Sequence, residues 1–285
     1  MPKRPHFKQK FKSSLSAASL NFVDLFAGCG GFSLGMERAG FRALAAIDSN
    51  HDAVETYRAN FPGVAHVLEK DLTKFNPSEL ESLLGGETVD VIIGGPPCQG
   101  FSKVRKVDGS NHGQRPIEDA RRNLYQDFLR FVAHFRPRVF VIENVLGIRS
   151  AAGGDFFTRV HSEARALGYR VHGEEIRAWQ YGVPQKRIRQ LIIGTREELP
   201  IFARDRFMLA THADPASVSP NVEAHKTQSE ANGRARLFPV VTLWEAIGDL
   251  PRLVAGRGDV EGEYDLVTTR VPTRAIYRSF YQECT

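Results

Sequence analysis

One cysteine, one glutamate and two arginines stand where carbon chemistry could be done. Cys98 lies in GGPPCQGFS, directly after the β-branched run VDVIIGG, and two glycines and two prolines fix a tight, exposed backbone around it. A thiolate is a strong carbon nucleophile, but an ordinary thiol, with a pKa of about 8.5, is mostly protonated near neutrality and needs positive neighbours. Arg187 and Arg189 in QYGVPQKRIRQ are candidates, since a two-residue spacing puts both on one face of an extended segment. A solvated basic strand edge fits the same spacing. Glu143 and Asn144 end the run FVIENV, where a carboxyl could exchange a proton with a ring nitrogen if burial raised its pKa. A strand-end glutamate can equally be a solvated or capping group.

A second constellation points to a cofactor. FVDLFAGCGGFSLGMERAGF reads as a strand, a glycine turn and a helix start, and Asp48 closes the next strand twenty residues after Gly28. Small residues let the backbone approach a ligand, and an acid after the second strand can accept both ribose hydroxyls, so a nucleoside-containing cofactor is expected. GCGG departs from the dinucleotide pattern G-x-G-x-x-G, yet this logic does not separate NAD from S-adenosylmethionine, and a purely structural βα turn also contains glycines. Asp71, in DLTKF, could reach an adenine amino group; taken alone it reads as a helix N-cap.

The elements that must position these residues follow from periodicity. Short β-branched runs alternate with helical patterns over residues 20 to 195, which predicts βαβ units and an α/β, doubly wound, mostly parallel seven-stranded sheet. Strands are expected at Asn21 to Phe26, Ala43 to Ile47, Val64 to Val67, Val89 to Ile93, Val139 to Ile142, Tyr169 to Ile176 and Arg189 to Ile193. Helices are expected at Phe32 to Ala39, Asn50 to Asn60, Pro77 to Leu84, Leu124 to Phe135 and Asp155 to Leu167. Residues 211 to 236 read as linker, and Val241 to Pro251 as a short amphipathic element. The expected organisation is a basic flexible tail over 1–19, a catalytic and cofactor-binding domain over 20–200, and a linker with the start of a recognition region over 201–285.

Composition bounds the remainder. With 285 residues, 42% of them hydrophobic, the chain can bury one substantial core with a smaller appendage. The net charge of +5 is matched by Lys3, Arg4, Lys8, Lys10 and Lys12 alone, so it says little about the folded body. Distribution says more: residues 101 to 150 hold ten Lys or Arg against five acids, where an anion could dock. Cys29, Cys98 and Cys284 follow no disulfide or metal-ligand spacing, so no metal site is expected. No apolar run approaches the roughly 20 residues of a membrane span and no signal-peptide core is seen, so a cytoplasmic protein is expected.

Taken in order, these runs resemble the cytosine carbon-5 DNA methyltransferases. DLFAGCGGFSLG resembles their first cofactor motif, Asp48 their ribose-binding acid, Asp71 their adenine contact, GGPPCQGFS their nucleophile motif, ENV their catalytic glutamate motif, QKRIR their paired arginines, and RNLYQDF around Leu124 their fifth motif. The resemblance spans roughly residues 20 to 251. It implies the S-adenosylmethionine-dependent methyltransferase fold, with Phe26, Gly28, Gly30, Asp48, Asp71, Leu72, Pro96 and Leu124 binding that cofactor. It further implies that a cytosine flips out of double-stranded DNA and that Cys98 attacks its carbon 6 while Glu143 protonates the neighbouring ring nitrogen. The enamine then takes a methyl group at carbon 5, and loss of the carbon-5 proton expels the cysteine. Arg187 and Arg189 would hold the base and stabilise the thiolate, and Ser102 to Arg122 would form a basic lid. Bacterial members commonly serve restriction-modification systems, and related enzymes act on RNA.

Departures from the family pattern set further expectations. Asp48 replaces a more usual glutamate, and Ser49 stands where an aromatic residue often stacks on the cofactor. Motifs resembling LTxREaaRLQxFP and GNaVP are not found. The expectation is therefore an incomplete C-terminal extension, a possible second subunit carrying the recognition domain, and little cofactor binding or methylation by this chain alone.

Overall fold

The computed structural model describes residues 19–97, 124–149, 155–199, 210–213, 237–238 and 240–247. Cys98, the expected lid over 102–122, the basic tail over 1–18 and most of the region after 200 lie outside the described residues.

The strands are β1 (Asn21–Leu25), β2 (Arg42–Asp48), β3 (His66–Glu69), β4 (Val91–Gly94), β5 (Val139–Val145), β6 (Tyr169–Arg177) and β7 (Ile188–Arg196), and the helices between them are α1 (Gly31–Arg38), α2 (His51–Asn60), α3 (Pro77–Leu84), α4 (Leu124–Phe135) and α5 (Asp155–Ala166). They form the expected seven-stranded sheet, in the order β3-β2-β1-β4-β5-β7-β6. The pairs β1–β2, β2–β3, β1–β4 and β4–β5 are parallel. Chain order reverses between β1 and β4, which makes their carboxyl ends the switch point where such sheets place ligands.

Two-sided burial explains why the central strands β1, β2 and β4 read as near-continuous apolar runs. Along β4, Val91 and Ile93 join Phe22 in a cluster packed by Phe32 and Met36 of α1, whereas Ile92 joins Val23, Leu25 and the α4 residues Phe128, Leu129 and Val132. Tyr57 and Val54 of α2 pack with Ala46 and Val67 in a third cluster. Local chemistry sets the helix ends. Asn76 and Glu79 close a capping box at the start of α3, Pro77 stands in its first turn and Gly85 ends it in a left-handed conformation.

Boundaries differ from expectation where side-chain pattern and backbone pairing diverge. β3 starts two residues later than expected because Val64 N–H closes a turn onto Phe61 O at 3.1 Å. β5 continues to Val145, so Glu143 and Asn144 lie within the strand. In the last region the described helix is α6 (Leu243–Ile247), inside the expected amphipathic element.

By packing, the chain divides into two units, Met1–Glu174 with Gln190–Pro200, and Glu175–Arg189 with Ile201–Thr285. Among the described residues, no helix is long and apolar enough to cross a membrane.

Candidate active site

The first unit carries the glycine turn. Phe26, the residue after β1, has φ 59°, a conformation that L side chains with bulk rarely adopt and that costs of order 1–3 kcal/mol. Gly28 follows at φ 55° and Gly30 at φ 92°. A Cβ on Gly30 would lie 2.2 Å from Phe61 Cε2, so this position requires glycine for both its backbone and its packing, while a Cβ on Gly28 would face open space.

Two carboxylates take up donors of this turn. Asp48 Oδ2 accepts from Gly28 N–H at 2.8 Å and its Oδ1 accepts from Asn50 N–H at 2.9 Å, tying the end of β2 to the turn after β1. Asp24, within β1 and 1% exposed, accepts from the Ser33 hydroxyl at 2.6 Å and also from the Ser33 main chain. Ser33 in turn accepts from the Tyr57 hydroxyl at 2.8 Å. Gly30, the N-cap of α1, offers no side chain, so Asp24 supplies from β1 the anion that a helix start favours. Burial pushes the Asp24 carboxyl up to about 7; the Ser33 bond opposes this and the Asp48 charge adds to it.

This arrangement bears on the choice between cofactors that the glycine pattern leaves open. In a dinucleotide fold the turn's N–H groups and the helix start receive a pyrophosphate. Here Gly28 N–H is met by Asp48 and Ser33 N–H by Asp24, while Ala27 N–H and Gly30 N–H are met by the carbonyls of Ile47 and Ala27, so these donors are already taken and a cofactor without phosphates fits the turn.

The adenine-side residues are differently placed. Asp71 does not cap a helix, because Asn76 caps α3; its Oδ1 accepts from Thr73 N–H at 3.0 Å and from the Thr73 hydroxyl at 2.8 Å, closing a surface turn. Those bonds hold its carboxyl below the usual range. The Leu72 side chain is core, 3% exposed, so only its main chain is available to a ligand. Leu124, the first residue of α4, is half-buried. From α4, Arg130 donates to Leu72 O and pairs with Asp127 at 3.3 Å, bracing the Asp71 turn from below. Burial raises the Asp127 carboxyl, against the neighbouring Arg130.

On the reactive side, Leu25 of β1 pairs with Gly94 of β4, and a Cβ on Gly94 would lie 2.2 Å from Leu25 O. Only glycine allows this approach, and Gly95-Pro96-Pro97 then leads to Cys98. Glu143 on β5 reaches this segment: its Oε2 would lie 3.4 Å from a Cβ on Gly95. Asn144, buried beside it, donates from Nδ2 to Pro96 O at 3.2 Å and fixes the run before Cys98. The described part of the site thus joins Phe26, Gly28, Gly30 and Asp48 at one side and Pro96 and Glu143 at the other.

Arg187 and Arg189 belong to the second unit. Arg187, exposed, accepts at its carbonyl from Ala178 N–H at 2.9 Å, and Arg189, half-buried at the start of β7, donates from Nη1 to Ile188 O at 2.8 Å. Among the described residues no group of three or more His, Cys, Asp or Glu could hold a metal ion.

Asp24, Ser33, Tyr57, Asp127 and Arg130 escaped the sequence reading. A signal existed for Asp24, a lone acid inside the buried strand NFVDL. Nothing in the sequence links Tyr57 or Arg130 to the site, because their partners are far along the chain.

Comparison with known proteins gives these observations a family. The model of the C-5 cytosine-specific DNA methylases matches residues 20–252. The type II methyltransferase M1.HphI of Haemophilus parahaemolyticus is 34% identical over 85% of this chain and 56% of its own length. M.DdeI of Desulfomicrobium norvegicum, also a type II methyltransferase, is 37% identical over 86% of this chain and 52% of its own. The chain therefore spans about half the length of the curated relatives it matches. A crystal structure described as a prophage-encoded DNA modification methyltransferase of E. coli superposes with a TM-score of 0.61 at 28% identity, covering 83% of this chain and 56% of that one. With the family model matching residues 20–252 and relatives at 34% and 37% identity over most of its length, the chain belongs to the C-5 cytosine-specific DNA methylase family.

Proposed function

We propose that this chain transfers a methyl group from S-adenosylmethionine to carbon 5 of a flipped cytosine in double-stranded DNA, through a covalent Cys98 adduct, as the modification arm of a restriction-modification system. The observation that carries this reading is the Leu25–Gly94 pairing. It makes the cofactor turn at Phe26–Gly30 and the segment running to Cys98 leave adjacent strands at one level, so that a methyl donor and a base held by the cysteine would be neighbours.

S-adenosylmethionine supplies an electrophilic methyl group when bound. Asp48 would take the ribose hydroxyls, with lone pairs left over from its two main-chain bonds. The turn of Asp71 and Leu72 would face the adenine, and Pro96 and Leu124 would line the pocket. The Cys98 thiolate would add to carbon 6 of the ring as Glu143 delivers a proton to the adjacent nitrogen, carbon 5 would take the methyl group and leave the cofactor as a neutral thioether, and loss of the carbon-5 proton to a general base, with return of the ring-nitrogen proton to Glu143, would break the bond to Cys98. Arg187 and Arg189 hold the base and favour the thiolate. The basic stretch 102–122 meets phosphates, and a second chain carrying the recognition region belongs to the same reading.

The test is transfer of tritiated methyl to duplex DNA and, in parallel, to tRNA, by the wild-type chain and by Cys98→Ser. A low level of label in DNA that disappears with Cys98→Ser is the expected result for the chain alone. Label confined to tRNA would reassign the substrate to RNA, and label that persists in Cys98→Ser would overturn the covalent route.

A further inference from the structure

Thr211 to Ala213 open the stretch that reads as linker in the sequence, yet they are bonded to the turn that precedes the paired arginines. Gln180 O, in the short helical turn Ala178–Tyr181, accepts from Thr211 N–H at 2.8 Å and from His212 N–H at 2.9 Å. The His212 ring lies against Gly182, where an added Cβ would be 2.7 Å from Cε1 and 3.0 Å from Nε2. Gly182 has φ 83°, so its backbone and the imidazole both exclude a side chain there. Behind His212 stands Phe238, with ring centroids 5.5 Å apart. Phe238 N–H donates to Thr211 O at 2.8 Å, and Phe238 O accepts from Ala213 N–H at 2.9 Å. The same turn also holds the arginine run: Ala178 N–H donates to Arg187 O at 2.9 Å, and Ala178 O accepts from Val183 N–H at 3.2 Å. All of these residues belong to the second unit.

We propose that His212, backed by Phe238, is a positioning residue that fixes the backbone from which Arg187 and Arg189 act on the target base. The proposal rests on the reading of those two arginines as holding the base and favouring the thiolate. A guanidinium is a rigid fork on a long side chain, so it is aimed only as well as the backbone that carries it. The two main-chain bonds to Gln180 O keep the turn from moving away from residues 211–213, and the ring on Gly182 keeps it from collapsing onto them. Arg187, tied to Ala178, moves with the turn, and Arg189 follows two residues later. A displacement of about 1 Å at groups that meet a reacting base slows chemistry by up to about a hundredfold. The cofactor turn at Phe26–Gly30 belongs to the first unit and shares none of these bonds.

The test is the rate of covalent adduct formation between the full chain and a duplex containing 5-fluorocytosine in the presence of S-adenosylmethionine, read beside the Kd of that cofactor. The adduct accumulates, so slow rates stay readable. His212→Ala should form it at least about tenfold more slowly, with the cofactor Kd held within about twofold. His212→Phe, which keeps a flat ring on Gly182, should recover most of the rate, and Phe238→Ala should show a smaller loss of the same kind. In an Arg187→Lys/Arg189→Lys background no planar fork remains to be aimed, so adding His212→Ala should slow the reaction by less than about twofold more, a result that a merely structural role would not produce. An unchanged rate in both His212→Ala and Phe238→Ala, equal losses of rate and cofactor affinity, or a further loss of about tenfold in the lysine background overturns the inference while leaving the proposed function standing. A wild type that forms no adduct overturns the proposed function and the inference with it.

Discussion

Asp48 Oδ2 lies 2.8 Å from Gly28 N, so the carboxylate that ends β2 fastens the glycine turn that begins after β1. Its second oxygen is taken by Asn50 N–H at 2.9 Å. Replacing Asp48 by Asn turns one of those acceptors into a donor and leaves a main-chain N–H unanswered. Asp48→Asn should lose about 1–3 kcal/mol of stability and bind cofactor at least about tenfold more weakly. Chemical denaturation and calorimetry on the same preparation check both, and unchanged binding would remove Asp48 from the cofactor site.

The Asp24 carboxyl gives stability a definite pH slope. Its folded-state pKa is raised from 3.8 to about 7, mainly by burial. Between those values the native state binds more protons than the unfolded chain, so this group's contribution falls as pH climbs through the window and stays lost above it. Relative to the wild type, Asp24→Asn should therefore gain stability steadily from about pH 4 to 7, by a few kcal/mol at most. Urea midpoints across that range for both proteins measure the difference; a constant gap would mean that Asp24 does not titrate there.

Gly30→Ala should be poorly tolerated. Its φ of 92° suits glycine, and the added methyl would meet the buried Phe61 ring at 2.2 Å. A loss of about 2 kcal/mol or more is expected. Adding Phe61→Ala to Gly30→Ala should recover only the steric part, because the backbone strain remains. Urea denaturation of Gly30→Ala, Phe61→Ala and the double variant reads the two contributions separately.

Arg130 braces the Asp71–Leu72 turn from α4 through Leu72 O and Asp127. Arg130→Met should lower stability by about 1 kcal/mol, since the pair is partly exposed, and should weaken cofactor binding more than it slows the chemical step. Arg130→Lys keeps the charge near Asp127 and should recover part of the affinity. Kd and single-turnover rates for both variants separate these effects.

Much of this was legible in the sequence for a physical reason. The central strands β1, β2 and β4 are buried on both faces and appear as apolar runs, and glycine turns at strand ends mark where ligands approach. What stayed hidden depends on contacts across the sheet. The bond from Tyr57 to Ser33, the support of Leu72 by Arg130, and the approach of Glu143 to Gly95 join residues 24, 58 and 48 positions apart. Sequence spacing carries no signal for such pairs. Asp71 illustrates the converse: its local pattern suggested a helix cap, but Asn76 with Pro77 and Glu79 is the stronger start signal, and α3 begins there.

The central claim is that Cys98 forms a bond to cytosine. A DNA duplex containing 5-fluorocytosine blocks release of the cysteine, so the complex accumulates and even slow chemistry becomes readable. Incubated with this duplex and S-adenosylmethionine, the wild-type chain should yield a covalent protein–DNA species in intact-mass spectrometry, with the modified peptide mapping to Cys98 and no such species from Cys98→Ser. A duplex bound without an adduct, or an adduct that forms in Cys98→Ser, would contradict the account.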